Sequence, residues 1–457
     1  MSSKRPAAGR LEKLDKKYIW HPFTQMREWE KDPQVIIESG TGSILTDIRG
    51  KKYIDGVSSL WVTVHGHRKK EIDAAVSSQL RKIAHSTLLG LSNVPAILLA
   101  EKLVEITPIG LSKVFYSDSG STAVEIALKI AFQYWQQKGK KHKNKTGFIS
   151  LKEAYHGDTI GSVSVGGIDL FHSTYKPLLF RTRKIESPYC YRCSFEGTYP
   201  GCGMVCAEQA EGVMRAHNHE IAAIVIEPLV QGAAGMLLQP PGYLRKIREL
   251  CTKYNILMIA DEVATGFGRT GTMFACEHEK VLPDIMAIAK GITGGYLPLA
   301  ATLTTEDIYQ RFLGEYRELK TFFHGHTYTG NPLACAAAIA NIDLFRKERT
   351  LQNLQPKITF LKKELKRFTG LEHVGDIRQE GFMVGIELVR YKKTKEPYQL
   401  KERIGIRVIE EARKHGLIIR PLGSVVVLMP PLSISMRDLK TLIEIVYGAI
   451  KTVTEAG

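Results

Sequence analysis

From about Leu88 to about Pro332 the chain alternates short apolar runs with amphipathic segments of helical length. The runs Lys113–Ser117 (KVFYS), Ile221–Leu229 (IAAIVIEPL), Ile256–Val263 (ILMIADEV) and Ile285–Lys290 (IMAIAK) are almost continuously apolar, as strands covered on both faces are. Between the second and third, Leu244, Ile247, Leu250 and Cys251 recur at three-to-four spacing, which predicts an amphipathic helix over Tyr243–Asn255. Such alternation predicts an α/β arrangement, a sheet with helical crossovers. The flanks differ. Val35–Gly56 has glycine turns between β-branched runs, the pattern of short antiparallel strands. After Pro332, LACAAAIANIDLFRKE predicts a long helix. The last hundred or so residues read as a second, α+β domain: a strand-like FMVGIELV, a helix around Ile404–His415, LIIRPLGSVVVLMPPL and a terminal amphipathic helix.

Composition narrows the class. With 457 residues, 44% hydrophobic and 24% charged, the chain has the make-up of an ordinary globular protein, not a fibre or a disordered tail. Seven cysteines are too sparse for a disulfide-stapled secreted fold. No run approaches the roughly 18 apolar residues of a membrane span. The basic N-terminal MSSKRPAAGRLEKLDKKY is followed by no apolar segment and does not predict a secretory signal, so a cytoplasmic location is expected. The net charge of +16 raises the question of nucleic acid. The densest run, KGKKHKNK at Lys138–Lys145, has no interleaved aromatics and predicts an exposed loop. No nucleic-acid reading motif is present, so neither nucleic acid nor membrane is an expected partner.

Four segments carry chemistry together. In ILMIADEVATGFGRTG an apolar strand ends in Asp261 and Glu262, and ligands collect at the carboxyl ends of strands in open α/β sheets. A helix cap is the alternative use of such an acid. In IMAIAKGITGGYLPLAA, Lys290 ends an apolar run beside Gly291, Gly294 and Gly295, where a desolvated amine gains nucleophilicity. In FYSDSGSTAVEIALKIAFQYW a strand stops at Ser117 and a helix begins near Thr122. Ser119, Gly120 and Ser121 would then offer phosphate-binding donors at the helix start. In EAYHGDTIGSVSVGG, Tyr155 and His156 occupy a glycine-rich loop, and an aromatic ring there can stack on a flat heterocycle. A phosphate cradle, a stacking ring, a carboxylate and an amine form the set that pyridoxal 5′-phosphate requires.

The segments DEVATGFGRTG, AKGITGG, YHGDT and HGHTYTGNPLACAAA resemble a class III (subgroup II) pyridoxal-phosphate aminotransferase of fold type I. Within that class WHPFTQM (Trp20–Met26), DGVSSLWVTVHGH (Asp55–His67), DSGSTAVEIALKIAFQYW and LIIRPLGSVVVLMPPL resemble the adenosylmethionine–8-amino-7-oxononanoate aminotransferase family, which makes 7,8-diaminononanoate for biotin. The resemblance runs from about Tyr18 to near the C-terminus. It implies a large domain with a mostly parallel mixed sheet (76–335) and a smaller α+β domain built from an N-terminal segment (1–75) and a C-terminal one (336–457). Carried over by motif, Lys290 is the Schiff-base lysine and proton carrier, Asp261 pairs with the pyridine nitrogen, and Tyr155 lies against the ring and borders the substrate. Gly120 and Ser121 hold the phosphate, joined by His326 and Thr327 from a neighbouring subunit, which implies a homodimer. Trp61 walls the substrate pocket, Gly325 lines it, Phe23 stands at a substrate-recognition position, and Arg420 faces a substrate carboxylate, which its planar fork suits. The implied reaction is ping-pong transamination of 8-amino-7-oxononanoate.

Departures from the family pattern bear on the amino donor. Phe23 replaces the tyrosine of the best-known members, His326 stands where proline is common, and Leu60 where tryptophan is. Similar sequences that use lysine in place of S-adenosylmethionine share the phenylalanine and the HGH pattern. S-adenosylmethionine is the expected donor, with lysine as the alternative. Two rival readings are a class III enzyme acting on ornithine, 4-aminobutyrate or ω-amino acids, and a non-catalytic basic binding protein. WHPFTQM and Arg420 argue against the first, and retention of Asp261 with Lys290 against the second. Separately, Cys190, Cys193, Cys202 and Cys206 are spaced C-x2-C-x8-C-x3-C. Four thiolates can close a tetrahedral zinc site, and the alternative is a surface loop with ordinary thiols. The family needs no metal, so none is expected.

Overall fold

The computed structural model describes residues 7–455, so the first six positions of the basic N-terminal stretch lie outside the described residues. Among the described residues no helix is long and apolar enough to cross a membrane. The centre is a seven-stranded sheet. Its spatial order is Leu111–Ser117, Ala300–Thr305, Ile285–Ile288, Leu257–Asp261, Ile221–Ile226, Gly147–Leu151, Arg183–Ile185. Ala300–Thr305 is antiparallel to both neighbours, and the other pairings are parallel.

The continuous apolar runs follow from burial on two faces. Side chains alternate across a strand, so Val225, Ile259 and Ala287 pack with Ala123, Val124 and Ala127 of the helix Gly120–Gln137. Their neighbours Ile224, Met258 and Met286 join the core that holds Leu244, Ile247 and Leu250 of the helix Tyr243–Lys253. Both layers are apolar, and the strands show no polar alternation.

The N- and C-terminal segments share a sheet. Ile37–Thr41, Ile44–Asp47 and Lys52–Asp55 form an antiparallel set, and Leu417–Ile418 adds to it in parallel alongside Lys52–Asp55. The C-terminal part builds another antiparallel sheet in the order Val374–Glu380, Met383–Tyr391, Val425–Leu428, Arg420–Leu422. The helix after Gly330 spans Pro332–Lys347; the Asn331 side chain caps it by accepting from Leu333 and Ala334 N–H, with proline in the first turn.

Two expectations need correction. Lys290 is not the last residue of its strand, which ends at Ile288; it opens the short turn Lys290–Thr293 with φ +46°. Asn341 fixes that turn by donating to the carbonyls of Gly291 and Ile292 (2.9 and 3.1 Å). The lysine-rich run is not exposed throughout either. Lys145 is buried and donates to the carbonyls of Asn218, Ile221 and Asn255 (2.6, 3.1 and 2.7 Å). Those carbonyls satisfy all three ammonium donors, so the charge tolerates burial, although desolvation and then Lys138 lower its pKa to about 8.

Candidate active site

A cavity of about 430 Å³ opens at the carboxyl ends of the central strands, and Trp61, Gly120, Ser121, Tyr155, Asp261 and Lys290 all line it. Leu257–Asp261 delivers Asp261 at its last residue, and Ile285–Ile288 delivers Lys290 two residues beyond its end. The adjacent acid does something else. Glu262 is buried and accepts from Thr265 Oγ1 (2.5 Å), Ala275 N (3.1 Å) and Cys276 N (2.8 Å), bracing the loop behind the cavity.

Asp261 Oδ1 accepts from Val263 N (3.0 Å), and Oδ2 lies 2.7 Å from His156 Nδ1. Lys290 has no hydrogen bond or ion pair among the described residues; its Nζ sits 4.6 Å from the centre of the Trp61 ring. Desolvation lowers its pKa to about 8, outweighing the opposing pull of Asp261 and Glu227. Near neutral pH such an amine is still mostly protonated, but its neutral, nucleophilic fraction is far larger than at the ordinary lysine value of 10.5.

The helix Gly120–Gln137 starts at the cavity wall. Ser119 caps it by accepting from Thr122 N, and the first-turn N–H groups of Gly120 and Ser121 have no intrahelical acceptor. The loop carrying Tyr155 docks against this turn, where Asp158 N donates to Ser121 Oγ (3.2 Å). The approach requires glycine at 157: φ is +118°, and a Cβ there would stand 2.0 Å from Ser121 Oγ. Tyr155 is steadied at both ends, its N–H donating to Glu227 Oε1 (3.1 Å) and its hydroxyl to Asp158 Oδ2 (2.7 Å).

Trp61 lies in a strained stretch, with φ positive at Ser58, Ser59 and Trp61. Asp55 holds that stretch by accepting from Ser59 N (2.8 Å), and Ser58 Oγ donates to Met429 O (2.7 Å). The buried Arg269 donates to Ser58 Oγ, Thr63 O and Pro430 O (3.2, 2.8 and 3.0 Å).

Five predicted residues stay outside this cavity. Gly325 and Thr327 are exposed in the segment before Pro332; His326 beside them has a buried Nε2 with no partner. Arg420 is exposed at the start of its edge strand, opposite Val427, and forms no ion pair among the described residues. Phe23 is also outside, but its ring lies 5.4 Å edge-on to Phe171, and Phe171 lies 6.3 Å edge-on to Tyr155. It therefore reaches the site through one intervening ring.

Sequence reasoning gave no role to His156 or Glu227. Both are buried and both line the cavity. Glu227 accepts from Tyr155 N and Gly232 N (3.1 and 2.9 Å), and desolvation raises its carboxyl pKa to about 7. Its position just past the strand Ile221–Ile226 is the same carboxyl-end signal that drew attention to Asp261.

The four cysteines Cys190, Cys193, Cys202 and Cys206 are free thiols that line one small cavity away from this site. Among the described residues, no three His, Cys, Asp or Glu side chains are already drawn together closely enough to hold a metal ion.

The donor set fits pyridoxal 5′-phosphate on the structure's own terms. The unpaired Lys290 amine suits a carbonyl, Asp261 suits a protonated ring nitrogen, and the open helix N-terminus suits a phosphate. Comparison with known proteins gives the same class. Residues 25–450 match the aminotransferase class-III family, and the chain belongs to that family. It is an aminotransferase. The chain is 56% identical over 445 residues to the adenosylmethionine-8-amino-7-oxononanoate aminotransferase of Geobacter sulfurreducens, covering 97% of this chain and 98% of that one. The crystal structure of the Methanocaldococcus jannaschii enzyme of the same name superposes with a TM-score of 0.93 at 50% identity, covering 97% of this chain and 99% of that one. An amine transaminase from an uncultivated Pseudomonas species, solved in a PLP-bound form, superposes with a TM-score of 0.90 at 34% identity, covering 95% and 99%.

Proposed function

We propose that the enzyme transfers an amino group to 8-amino-7-oxononanoate, giving 7,8-diaminononanoate for biotin biosynthesis, with S-adenosyl-L-methionine as donor. The observation that carries this reading is the meeting of Lys290 and Asp261 in one cavity, in a chain matched almost end to end by relatives named for that reaction. Gly120 and Ser121 would hold the phosphate of pyridoxal 5′-phosphate, Asp261 its ring nitrogen, Tyr155 its face, and Lys290 its carbonyl carbon. When bound, the cofactor supplies a reactive carbonyl and an electron-accepting ring.

The chain's residues do the rest. Lys290 Nζ takes the proton from the donor carbon and, in the second half-reaction, returns one to the acceptor carbon. Asp261, oriented by His156 and Val263 N, keeps a negative charge at the ring end of the site. Trp61 walls the substrate space and helps to exclude water from the amine. Arg420 receives the acceptor carboxylate, while Phe23 and Gly325 border the substrate.

His326 and Thr327 complete the phosphate site of a second copy, which makes the working unit a homodimer. Their position outside their own cavity supports this, as does the exposure of Thr327. The residues divide into a large domain (76–335) and a small one assembled from 1–75 and 336–457, and the protein works in the cytoplasm. The pairing of Leu417–Ile418 with Lys52–Asp55 supports that assembly.

A second reading keeps the acceptor and makes lysine the donor. Phe23 and the His324-Gly325-His326 pattern favour it. Supplying 8-amino-7-oxononanoate with either S-adenosylmethionine or lysine, and measuring the diamine, decides between them. Product with neither donor rejects both.

A further inference from the structure

We propose that Cys190, Cys193, Cys202 and Cys206 form a structural zinc site that pins the loop 187–206. The four residues span 16 positions, from Cys190 to Cys206, yet all face one cavity of about 10 Å³, on the order of the space one small sphere fills. Two local elements present them in pairs. Cys190 and Cys193 flank the short turn Cys190–Arg192, while Cys202 and Cys206 bracket the start of the helix Val205–His217. Both spacings, C-x2-C and C-x3-C, lie within the range that closed zinc sites use.

The loop is built around the sulfurs. A Cβ at Gly197 would stand 2.6 Å from Cys202 Cβ, with Cys202 Sγ at 3.6 Å and Cys193 Sγ at 3.9 Å, so the chain passes between these thiols only as glycine. Pro188, Phe195, Met204 and Pro240 add apolar wall, and the lining holds no carboxylate and no imidazole, its side-chain oxygens being the hydroxyls of Ser187, Tyr189 and Tyr199. Four soft sulfurs select zinc over calcium or magnesium and leave no open coordination position for catalysis. The sulfurs do not yet share a metal's coordination sphere. Binding would draw them to about 2.3 Å from a common centre.

The loop needs such a staple. Between Ser187 and Met204 its only regular element is the three-residue turn, an uncommon length of irregular chain inside a compact domain. Its near end is tied to the C-terminal sheet, because Tyr189 Oη and Arg192 both donate to Glu387, which also pairs with Arg378 (2.6 Å). Arg378 donates to Gly235 O (2.9 Å), two residues beyond the cavity-lining Ala233. Zinc would thus steady a chain of contacts that reaches the active-site wall without supplying any group to the reaction.

Elemental analysis of the holoenzyme purified without chelator tests this. We expect about one zinc per chain, removed in the Cys193→Ser/Cys202→Ser variant, with a lower melting temperature and retained cofactor absorbance. Cobalt(II) exchanged into the wild type should show tetrahedral thiolate charge-transfer bands, a readout that stands even where the variant does not fold. Wild type that binds no zinc after incubation with zinc sulfate overturns the proposal. So does a double variant that keeps its zinc, or cobalt spectra without thiolate bands.

Discussion

His156 Nδ1 lies 2.7 Å from Asp261 Oδ2, joining a loop residue to a strand end 105 positions later, and both side chains are buried. Neither residue has another side-chain hydrogen-bond partner among the described residues. The pair therefore fixes where the site's negative charge sits. With its proton on Nδ1, the imidazole donates to the carboxylate and leaves the other oxygen to the Val263 N–H.

Replacing that charge while keeping its shape tests its role. Asp261→Asn should bind pyridoxal phosphate about 10- to 100-fold more weakly, the range expected when a charge-assisted hydrogen bond worth about 1.5–3 kcal/mol is lost. The kcat should fall at least as far. Equilibrium dialysis of the cofactor and initial rates check both, and a variant with wild-type affinity would remove Asp261 from the site.

The Lys290 amine sets a pH dependence. Its pKa is lowered to about 8, so the amine is protonated and unreactive below that pH and neutral above it. The rate at which cofactor-free enzyme captures pyridoxal phosphate should rise with pH, with its midpoint near about 8. Lys290→Ala should lose transamination by roughly 10²–10⁴-fold or more, the usual contribution of a positioned proton carrier, while still binding cofactor. Stopped-flow absorbance follows the capture; a flat profile between pH 6 and 9 contradicts the assignment.

Glu227 predicts a stability slope of the opposite kind. Burial raises its pKa from 4.5 to about 7 in the folded chain, so the folded state favours the protonated acid more than the unfolded state does. That contribution is fully present below pH 4.5 and is lost as pH climbs through about 7. In cofactor-free protein, Glu227→Gln should flatten this fall. Denaturant melts of both forms at pH 5 and pH 8 measure it, and equal slopes would show that Glu227 does not titrate there.

Shared sites can be tested by mixing subunits. Thr327→Ala should weaken cofactor binding, and Lys290→Ala should abolish turnover. A hybrid of the two variants should regain one intact site per dimer, because one chain keeps Lys290 and its partner keeps Thr327. Refolding the variants together and assaying the mixture at limiting cofactor should give more activity than either variant alone. No recovery from confirmed hybrids places Thr327 in its own chain's site.

The sequence by itself determined the central strands, the amphipathic helix after Gly242 and the chemistry gathered at strand ends, because burial on two faces leaves an apolar run that needs no tertiary information to read. Asp261 and Lys290 were legible for the same reason, as polar residues at or just beyond the ends of such runs. Only the tertiary structure decided that Asp261 faces the cavity while Glu262 turns away to brace the loop, since successive side chains point to opposite sides. It also decided the part of His156, whose partner is remote in sequence, and of Glu227, whose carboxyl becomes informative only once burial is known. Lys145 shows the same limit. A lysine in a basic run reads as solvated, and three carbonyls from distant segments made it a buried one.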